Sequence, residues 1–159
     1  MLEVIWQIGI RLRRSWGKLP RFVDANVFLY AYLKPKRRLK EHEVKLKENA
    51  KEIVKRINEG EVVFISTVHF SKIVNILEDN APLDVALEVE ESILLRENIK
   101  FIDVSKKDYL NAVEVAKKFK VGLNDALAYV VMKRIGIDEI YTFDKDFDRL
   151  PDVKRIINL

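Results

Sequence analysis

The chain has 159 residues, of which 48% are hydrophobic, and this is enough for one compact domain with a buried core. It contains no cysteine, which excludes disulfides, thiolate metal sites and a cysteine nucleophile. Charged residues reach 34% and glutamine occurs only at Gln7, a composition that favours a thermophilic source.

The net charge of +4 is unevenly distributed along the chain. Residues 1–40 carry ten Lys or Arg and two acids, a sum of +8, so the remainder must sum to −4. A cationic end of this kind can bind a phosphate backbone or an acidic protein, although clustered lysines are also common on ordinary solvated surfaces.

The first twenty residues have apolar side chains at helical intervals, namely Leu2, Ile5, Ile8, Leu12 and Trp16. They predict an amphipathic helical extension to a main domain at residues 21–159. The basic residues follow this apolar run, unlike those of a secretory signal, and no stretch approaches the ~18 apolar residues that span a bilayer. We therefore expect a soluble, cytoplasmic protein, with a membrane-surface role or a mistaken start codon as alternatives for the extension.

From residue 21 onwards, short apolar strands alternate with amphipathic helices. The predicted strands are 21–23, 61–66, 99–104, 138–143 and 153–159, and the predicted helices follow Asn26 and cover 39–58, 67–80, 82–98, 105–120 and 124–136. The strands are continuous apolar runs, as in parallel strands covered on both faces. The pattern predicts a three-layer α/β/α domain with a parallel sheet of about five strands.

Polar side chains follow several of these strands where each strand ends. They are Asp24 and Asn26 after the first strand, Ser66 and Thr67 after the second, and Thr142 and Asp144 after the fourth, while Asp125 begins the preceding helix. Ligands of parallel sheets bind beyond the carboxyl ends of the strands. We therefore expect these residues to face one edge.

Carboxylates gathered at one edge repel each other unless a proton or a cation neutralises them. Magnesium and manganese prefer oxygen ligands of this kind, with Asn, Ser or Thr as outer support. Such an ion can lower the pKa of a water and hold a phosphodiester for in-line attack.

Each acid also has an ordinary structural explanation. Asp24 would cap the following helix, and Asp125 would be favoured by the helix dipole. The acids of "FDKDFDRL", Asp144, Asp146 and Asp148, suit a turn. Their joint placement after strand ends nevertheless favours a functional site.

The segments "FVDANVFLYAYL", "VVFISTVHFSKIVNILE" and "GLNDALAYVVMKRIGIDEIYTFDKDFDRL" resemble successive motifs of PIN domains, small metal-dependent ribonucleases common as toxins of bacterial and archaeal toxin–antitoxin pairs. The resemblance runs from about Arg21 to the C-terminus. It implies that Asp24, Asp125 and Asp144 are catalytic metal-binding acids, that Asp146 is an accessory metal ligand, and that Asn26 and Thr142 are polar support.

One position departs from the family pattern, because Lys72 stands where the family has an acid on the helix after the second strand. Glu78 is turned off that face, and Asp79 lies roughly 10 Å further along the axis. Lys72 would either pair with Asp24 or Asp125 and weaken metal binding, or extend outwards and leave a three-aspartate site. His69, on the same helix, is expected to be a hydrogen-bonded packing residue.

The leading hypothesis is an Mg²⁺- or Mn²⁺-dependent endoribonuclease that uses a metal-activated water, as the toxin of a toxin–antitoxin pair. Its RNA backbone contacts would come from basic residues in two places: Lys36, Arg37 and Arg38, and Lys117 and Lys118. The alternative is a weakened PIN module that binds RNA or a protein, its metal site impaired by Lys72. A receiver domain is disfavoured because the acid pair expected near the first strand is absent.

The expected partners are RNA, an antitoxin protein and a second copy of the chain, with no membrane. The homodimer is implied by the family and by the apolar residues Val85, Leu87, Val89, Ile93 and Leu94, which would otherwise belong to the core.

Overall fold

The computed structural model describes residues 20–158, so almost all of the predicted N-terminal extension lies outside the described residues. Within this range five strands alternate with six helices in chain order: β1 Arg21–Val23, α1 Ala25–Tyr32, α2 Glu41–Asn58, β2 Val63–Ser66, α3 Thr67–Asn80, α4 Leu83–Leu94, β3 Ile99–Ile102, α5 Lys106–Phe119, α6 Leu123–Ile135, β4 Glu139–Tyr141 and β5 Lys154–Ile156. A short 3₁₀ helix, Lys145–Arg149, separates β4 from β5. No helix of this part of the chain is long and apolar enough to cross a bilayer.

The five strands form one parallel sheet in the order β3-β2-β1-β4-β5. This confirms the predicted fold class. Because β2 lies on one side of β1 and β4 on the other, the chain changes direction across the sheet between β1 and β4. In open α/β sheets the crevice beyond the carboxyl ends of such a strand pair is where ligands bind.

Two hydrophobic cores lie on the two faces of the sheet. Val23 and Ile65 pack with residues of α1 to α4 on one face. Phe22 and Ile140 pack with residues of α5 and α6 on the other. Since neighbouring strand residues point to opposite faces and both faces are covered, the strands are apolar throughout. The three layers are therefore those that the sequence predicts.

Apart from β1, the strands are shorter than their apolar runs predict, and β4 is an example. The prediction continued this strand to Phe143, whereas it ends at Tyr141. The backbone N–H of Asp144 binds the Thr142 hydroxyl at 3.1 Å, and that of Phe143 reaches the Asn26 side chain at 3.5 Å. Side chains, instead of a neighbouring strand, thus take the backbone donors here.

A group of paired charges lies at the opposite edge, where the strands begin. Arg21, the first residue of β1, donates to Glu139 at 2.7 Å, to the Tyr141 hydroxyl at 2.6 Å and to Glu61 at 3.3 Å. Glu61 also accepts from the Tyr141 hydroxyl at 2.8 Å and from Arg56 at 2.9 Å. We call these five residues the paired cluster, because two guanidinium groups face two carboxylates.

Candidate metal centre

Asp24 leaves β1 at the crevice between β1 and β4. Its backbone N–H donates to the Tyr141 carbonyl at 3.0 Å, which extends the pairing of the two strands by one residue. Its side chain is buried and does not cap α1. Instead, the carboxylate accepts a hydrogen bond from the Thr142 hydroxyl at 2.8 Å. The structural explanation of Asp24 as a helix cap is therefore not supported.

Thr142 is fully buried and joins the residues that follow β1 and β4. Its hydroxyl donates to Asp24 and accepts from the Asn26 side chain at 3.2 Å and from the Asp144 backbone N–H at 3.1 Å. A hydroxyl offers one donor and two acceptor positions, so this group is saturated. Thr142 thereby fixes the spacing between Asp24 and Asp144.

Three carboxylates meet in front of this network. They belong to Asp125 in the first turn of α6, to Asp144 two residues after Thr142, and to Asp146 in the 3₁₀ helix. Each offers one carboxylate oxygen, and these oxygens all lie within 4.8 Å of one another. We call these three residues the acid cluster; all are partly buried. Asp144 also accepts the backbone N–H of Asp146 at 2.9 Å, which holds the turn. Asp24 does not belong to this set of mutually close oxygens, although its charge acts on it.

The electrostatics of the acid cluster are seen most clearly at Asp125. Burial, followed by the charges of Asp144 and Asp24 and a smaller contribution from Asp146, raises the pKa of this carboxyl to about 7. The Lys72 ammonium acts in the opposite direction. The acids are therefore only partly compensated, and the cluster retains a proton close to neutral pH when no cation is bound.

The donor set fits a hard divalent cation. All its atoms are carboxylate oxygens, partly buried and close together, and their mutual repulsion is relieved by a bound positive charge. One acid has a local partner, since Asp146 lies 3.4 Å from Arg149, but that guanidinium is more than half exposed and screened by solvent. Asp148, two residues further on, instead pairs with Arg155 at 3.0 Å and takes no part in the cluster.

Lys72 lies on α3 and is partly buried. Its ammonium is near enough to the site to lower the pKa values of Asp125 and His69. Among residues 20–158, however, no acid forms an ion pair with it within 4.0 Å. Lys72 thus acts on the acids from a distance and does not neutralise any of them by contact.

His69 is buried behind the site, with its ring edge-on to Phe22 at 5.3 Å. Its Nδ1 lies 2.6 Å from the Ser66 hydroxyl, and the ring also hydrogen-bonds the backbone of Asn124. Burial lowers its pKa, so the ring is neutral and can be a donor and an acceptor at once. The sequence predicts a hydrogen-bonded packing residue here but not its partners. The link to α6 holds the turn that carries Asp125.

The basic residues predicted to contact RNA lie on two other segments. Lys36, Arg37 and Arg38 are in the loop between α1 and α2, where Arg37 makes two hydrogen bonds to Glu43, at 2.6 and 2.9 Å. On α5, Lys117 lies 3.5 Å from Glu114, and Lys118 lies over the Phe119 ring. None of their described contacts reaches the acid cluster.

Solved structures with the same fold include bacterial toxins. VapC20 from Mycobacterium tuberculosis, described as a sarcin-ricin loop cleaving toxin, has a TM-score of 0.62 at 22% identity, over 80% of this chain and 92% of its own. A toxin–antitoxin complex from Klebsiella pneumoniae has a TM-score of 0.57 at 16% identity, and the match covers 84% of this chain and 95% of the other. VapBC2 from Rickettsia felis, bound to a promoter DNA fragment, has a TM-score of 0.60 at 15% identity, and the match covers 87% of this chain and 98% of the other. At these identities the similarity shows the fold alone.

Sequence comparison with curated proteins gives no significant match. The sequence model of the PIN domain, in contrast, matches residues 21–153, which includes Asp24 and all three residues of the acid cluster. The match covers most of the chain and leaves out only the two termini. This protein therefore belongs to the PIN domain family.

Proposed function

We propose that the protein is an endoribonuclease that depends on Mg²⁺ or Mn²⁺ and acts as the toxin of a toxin–antitoxin pair. The observation that carries the proposal is the acid cluster itself. Three carboxylates lie within 4.8 Å of one another, and burial with the neighbouring charges raises the pKa of Asp125 to about 7. An arrangement that destabilises its own ionised form is typical of a binding or catalytic site.

The acid cluster would hold the divalent ion, with Asp24 as a further acid behind it. When bound, such an ion lowers the pKa of a water and draws charge from a phosphodiester. Thr142 and Asn26 would hold Asp24 and the backbone of Asp144 in place through the network described above. Asp125 would shed its proton as the ion binds, because cation and proton compete for the same oxygens.

RNA is the substrate class that we propose, and an antitoxin is the proposed protein partner. The structural relatives support both, since one is described as a sarcin-ricin loop cleaving toxin and another is a toxin–antitoxin complex. Lys36 and Arg38 are more available to an RNA backbone than Arg37, which is paired with Glu43. Binding that relies on such residues should weaken as salt is raised.

A second copy of the chain is a further proposed partner. On α4 the residues Leu83, Leu87 and Leu94 follow one helical face and are 59%, 50% and 55% exposed. Ile93, by contrast, is buried in the core. Exposed leucines on one face favour an interface. Leu87→Glu should therefore convert a dimer into a monomer in sedimentation experiments. An unchanged sedimentation coefficient would show that this face of α4 is not the dimer interface.

A PIN module without catalysis is the second candidate function, and Lys72 is the observation that favours it. A cation near Asp125 competes with a metal ion for the same carboxylates. Such a module would bind RNA or a protein with little or no cleavage. Mn²⁺ would then have little effect on its stability.

Thermal unfolding with and without Mn²⁺, together with cleavage of single-stranded and structured RNA, separates the two functions. An ion that binds only the native state raises the unfolding temperature. We expect stabilisation and cleavage in the wild type, and loss of both in Asp144→Asn. Asp148→Asn is the matched control, because this acid is two residues from Asp146 but pairs with Arg155. No stabilisation and no cleavage in the wild type would favour the binding module.

A further inference from the structure

Lys72 lies where the metal centre meets a groove. The groove has a volume of about 410 Å³, and residues of α1 and α3, among them Leu29 and Ile76, contribute its apolar lining. Asn26 and Lys72 also line it. Asn26 belongs to the hydrogen-bond network of Thr142, so the groove opens directly beside the acids.

The two lysines Lys72 and Lys47, which both line this groove, differ in their partners. Lys47 donates to the carbonyls of Tyr30 and Leu33 at 2.8 and 2.7 Å, and so completes the end of α1. Lys72 makes no hydrogen bond or ion pair with any residue between 20 and 158. An ammonium has three donors, and one that is partly buried is stabilised by an acceptor. Lys72 is therefore placed to receive an anionic group from outside the protein.

The formal charges indicate which group this is. Without the solvent-exposed Arg149 beside Asp146, Asp24 and the acid cluster sum to −4, Lys72 brings the total to −3, and one divalent ion brings it to −1. An acid at position 72 would leave −3 with one ion, and would need a second ion before a phosphodiester could approach. With Lys72, one divalent ion neutralises nearly all of the negative charge of the site, because the lysine supplies a positive charge at the mouth of the groove.

We propose that Lys72 binds a phosphodiester oxygen of the substrate where the groove meets the metal centre, and that it takes the part of a second metal ion. This inference rests on the proposed function, since it requires an ion at the acid cluster and RNA as the ligand. Lys72 then has two opposed effects: it weakens metal binding by repulsion and strengthens substrate binding by attraction. A lysine that merely impairs the site has only the first effect.

Two measurements on Lys72→Met separate these roles. The first is the Mn²⁺-dependent rise in unfolding temperature, which should become larger than in the wild type. The second is the binding of a short fluorescent single-stranded RNA in Ca²⁺, followed by anisotropy, with a gel to verify that the RNA stays intact. Loss of one charged contact should weaken this binding about tenfold. It should also reduce the slope of log K against log salt by about 0.7.

Lys72→Arg and Lys55→Met are the matched variants. The arginine retains the charge and should retain the salt slope. Lys55 is an exposed lysine in the last turn of α2, which precedes β2 and ends near the edge of the sheet where the strands begin, opposite the metal centre. Its replacement by Met removes one positive charge, as Lys72→Met does, but far from the metal centre. Wild-type RNA affinity and salt slope in Lys72→Met would overturn the inference. If Asp144→Asn retained the full Mn²⁺ stabilisation, the proposed metal site would be wrong, whatever Lys72 does.

Discussion

Two groups of charged side chains lie at opposite ends of the same strands. In the paired cluster, Arg21 binds Glu61, Glu139 and the Tyr141 hydroxyl, and each carboxylate has a guanidinium within 3.3 Å. In the acid cluster, three carboxylates face one another and the pKa of Asp125 rises to about 7. Both groups are partly buried, so burial alone does not distinguish them.

The difference lies in the compensation of charge within the chain. The paired cluster satisfies its carboxylates internally, and its side chains connect β1, β4 and Glu61, two residues before β2. Among residues 20–158, the counter-charges of the acid cluster and Asp24 are Lys72 and the exposed Arg149. A buried charge that the chain itself pairs serves the fold, whereas carboxylates left facing one another are stabilised by a ligand from outside.

The largest expected effect is on stability, at the paired cluster. Arg21→Met leaves Glu139 without its 2.7 Å partner and Glu61 with Arg56 alone, in positions where the side chains are about one fifth exposed. We expect a loss of about 2 to 3 kcal/mol in the free energy of unfolding, measured with urea. Mn²⁺ binding should be unchanged. A loss below about 1 kcal/mol would show that this cluster does not stabilise the fold.

The next effect concerns the support of the metal centre. Thr142→Val keeps the shape of the side chain but removes the hydroxyl shared by Asp24, Asn26 and the Asp144 backbone. Misplaced ligands should weaken Mn²⁺ affinity about tenfold, measured by calorimetry, since outer groups orient the ligands. The control is Thr67→Val, which replaces an exposed threonine in the first turn of α3. Equal Mn²⁺ affinities in Thr142→Val and wild type would contradict this role.

The pH dependence of the metal-free protein gives a smaller effect. The pKa of Asp125 is about 7 in the folded chain against an ordinary value of 3.8, so the folded state holds this proton more tightly. Its contribution to stability is complete below pH 3.8 and is lost as the pH rises towards 7. Asp125→Asn should therefore stabilise the metal-free protein above pH 7, by about 1 kcal/mol after solvent screening, and not at pH 4. Urea unfolding in EDTA at both pH values measures this, and an equal effect at both would contradict it.

The smallest effect is expected at Asp148. This residue is more than half exposed and pairs with Arg155 at 3.0 Å. Asp148→Asn should lower the free energy of unfolding by less than about 1 kcal/mol and leave the stabilisation by Mn²⁺ unchanged. A clear loss of Mn²⁺ binding would show that the site extends beyond the acid cluster.

The fold was predictable because its signals are local. Continuous apolar strands indicated a parallel sheet covered on both faces. Ser105 caps α5 through Asp108, and Gly136, with φ of 76°, ends α6, close to the predicted helix ranges 105–120 and 124–136. The prediction of strand ends was less accurate, because side chains such as Asn26 compete for backbone donors after β4.

The candidate site was predictable only in outline. Chain order and parallel topology place acids at one edge, but they do not decide which oxygens meet. Thr142 reaches Asp24 across 118 residues of sequence, and no local pattern reports that contact. Asp146 and Asp148 are two residues apart, but both lie in the 3₁₀ helix, which turns about 120° per residue and therefore directs their side chains differently.

The paired cluster was missed for the same reason. Arg21 looked like one more residue of a cationic N-terminal region, while its partners Glu61 and Glu139 lie 40 and 118 residues away. Formal charge along the sequence therefore overstated the free positive charge near β1. Pairing in space, which the sequence does not report, decides which charges remain available for a ligand.

Diffraction from crystals soaked in Mn²⁺, recorded near the manganese absorption edge, tests the central claim most directly. We expect an anomalous peak at coordination distance from the carboxylates of Asp125, Asp144 and Asp146, and none at the paired cluster. An acid cluster that stays without a peak at millimolar Mn²⁺ and pH 8 would contradict the account.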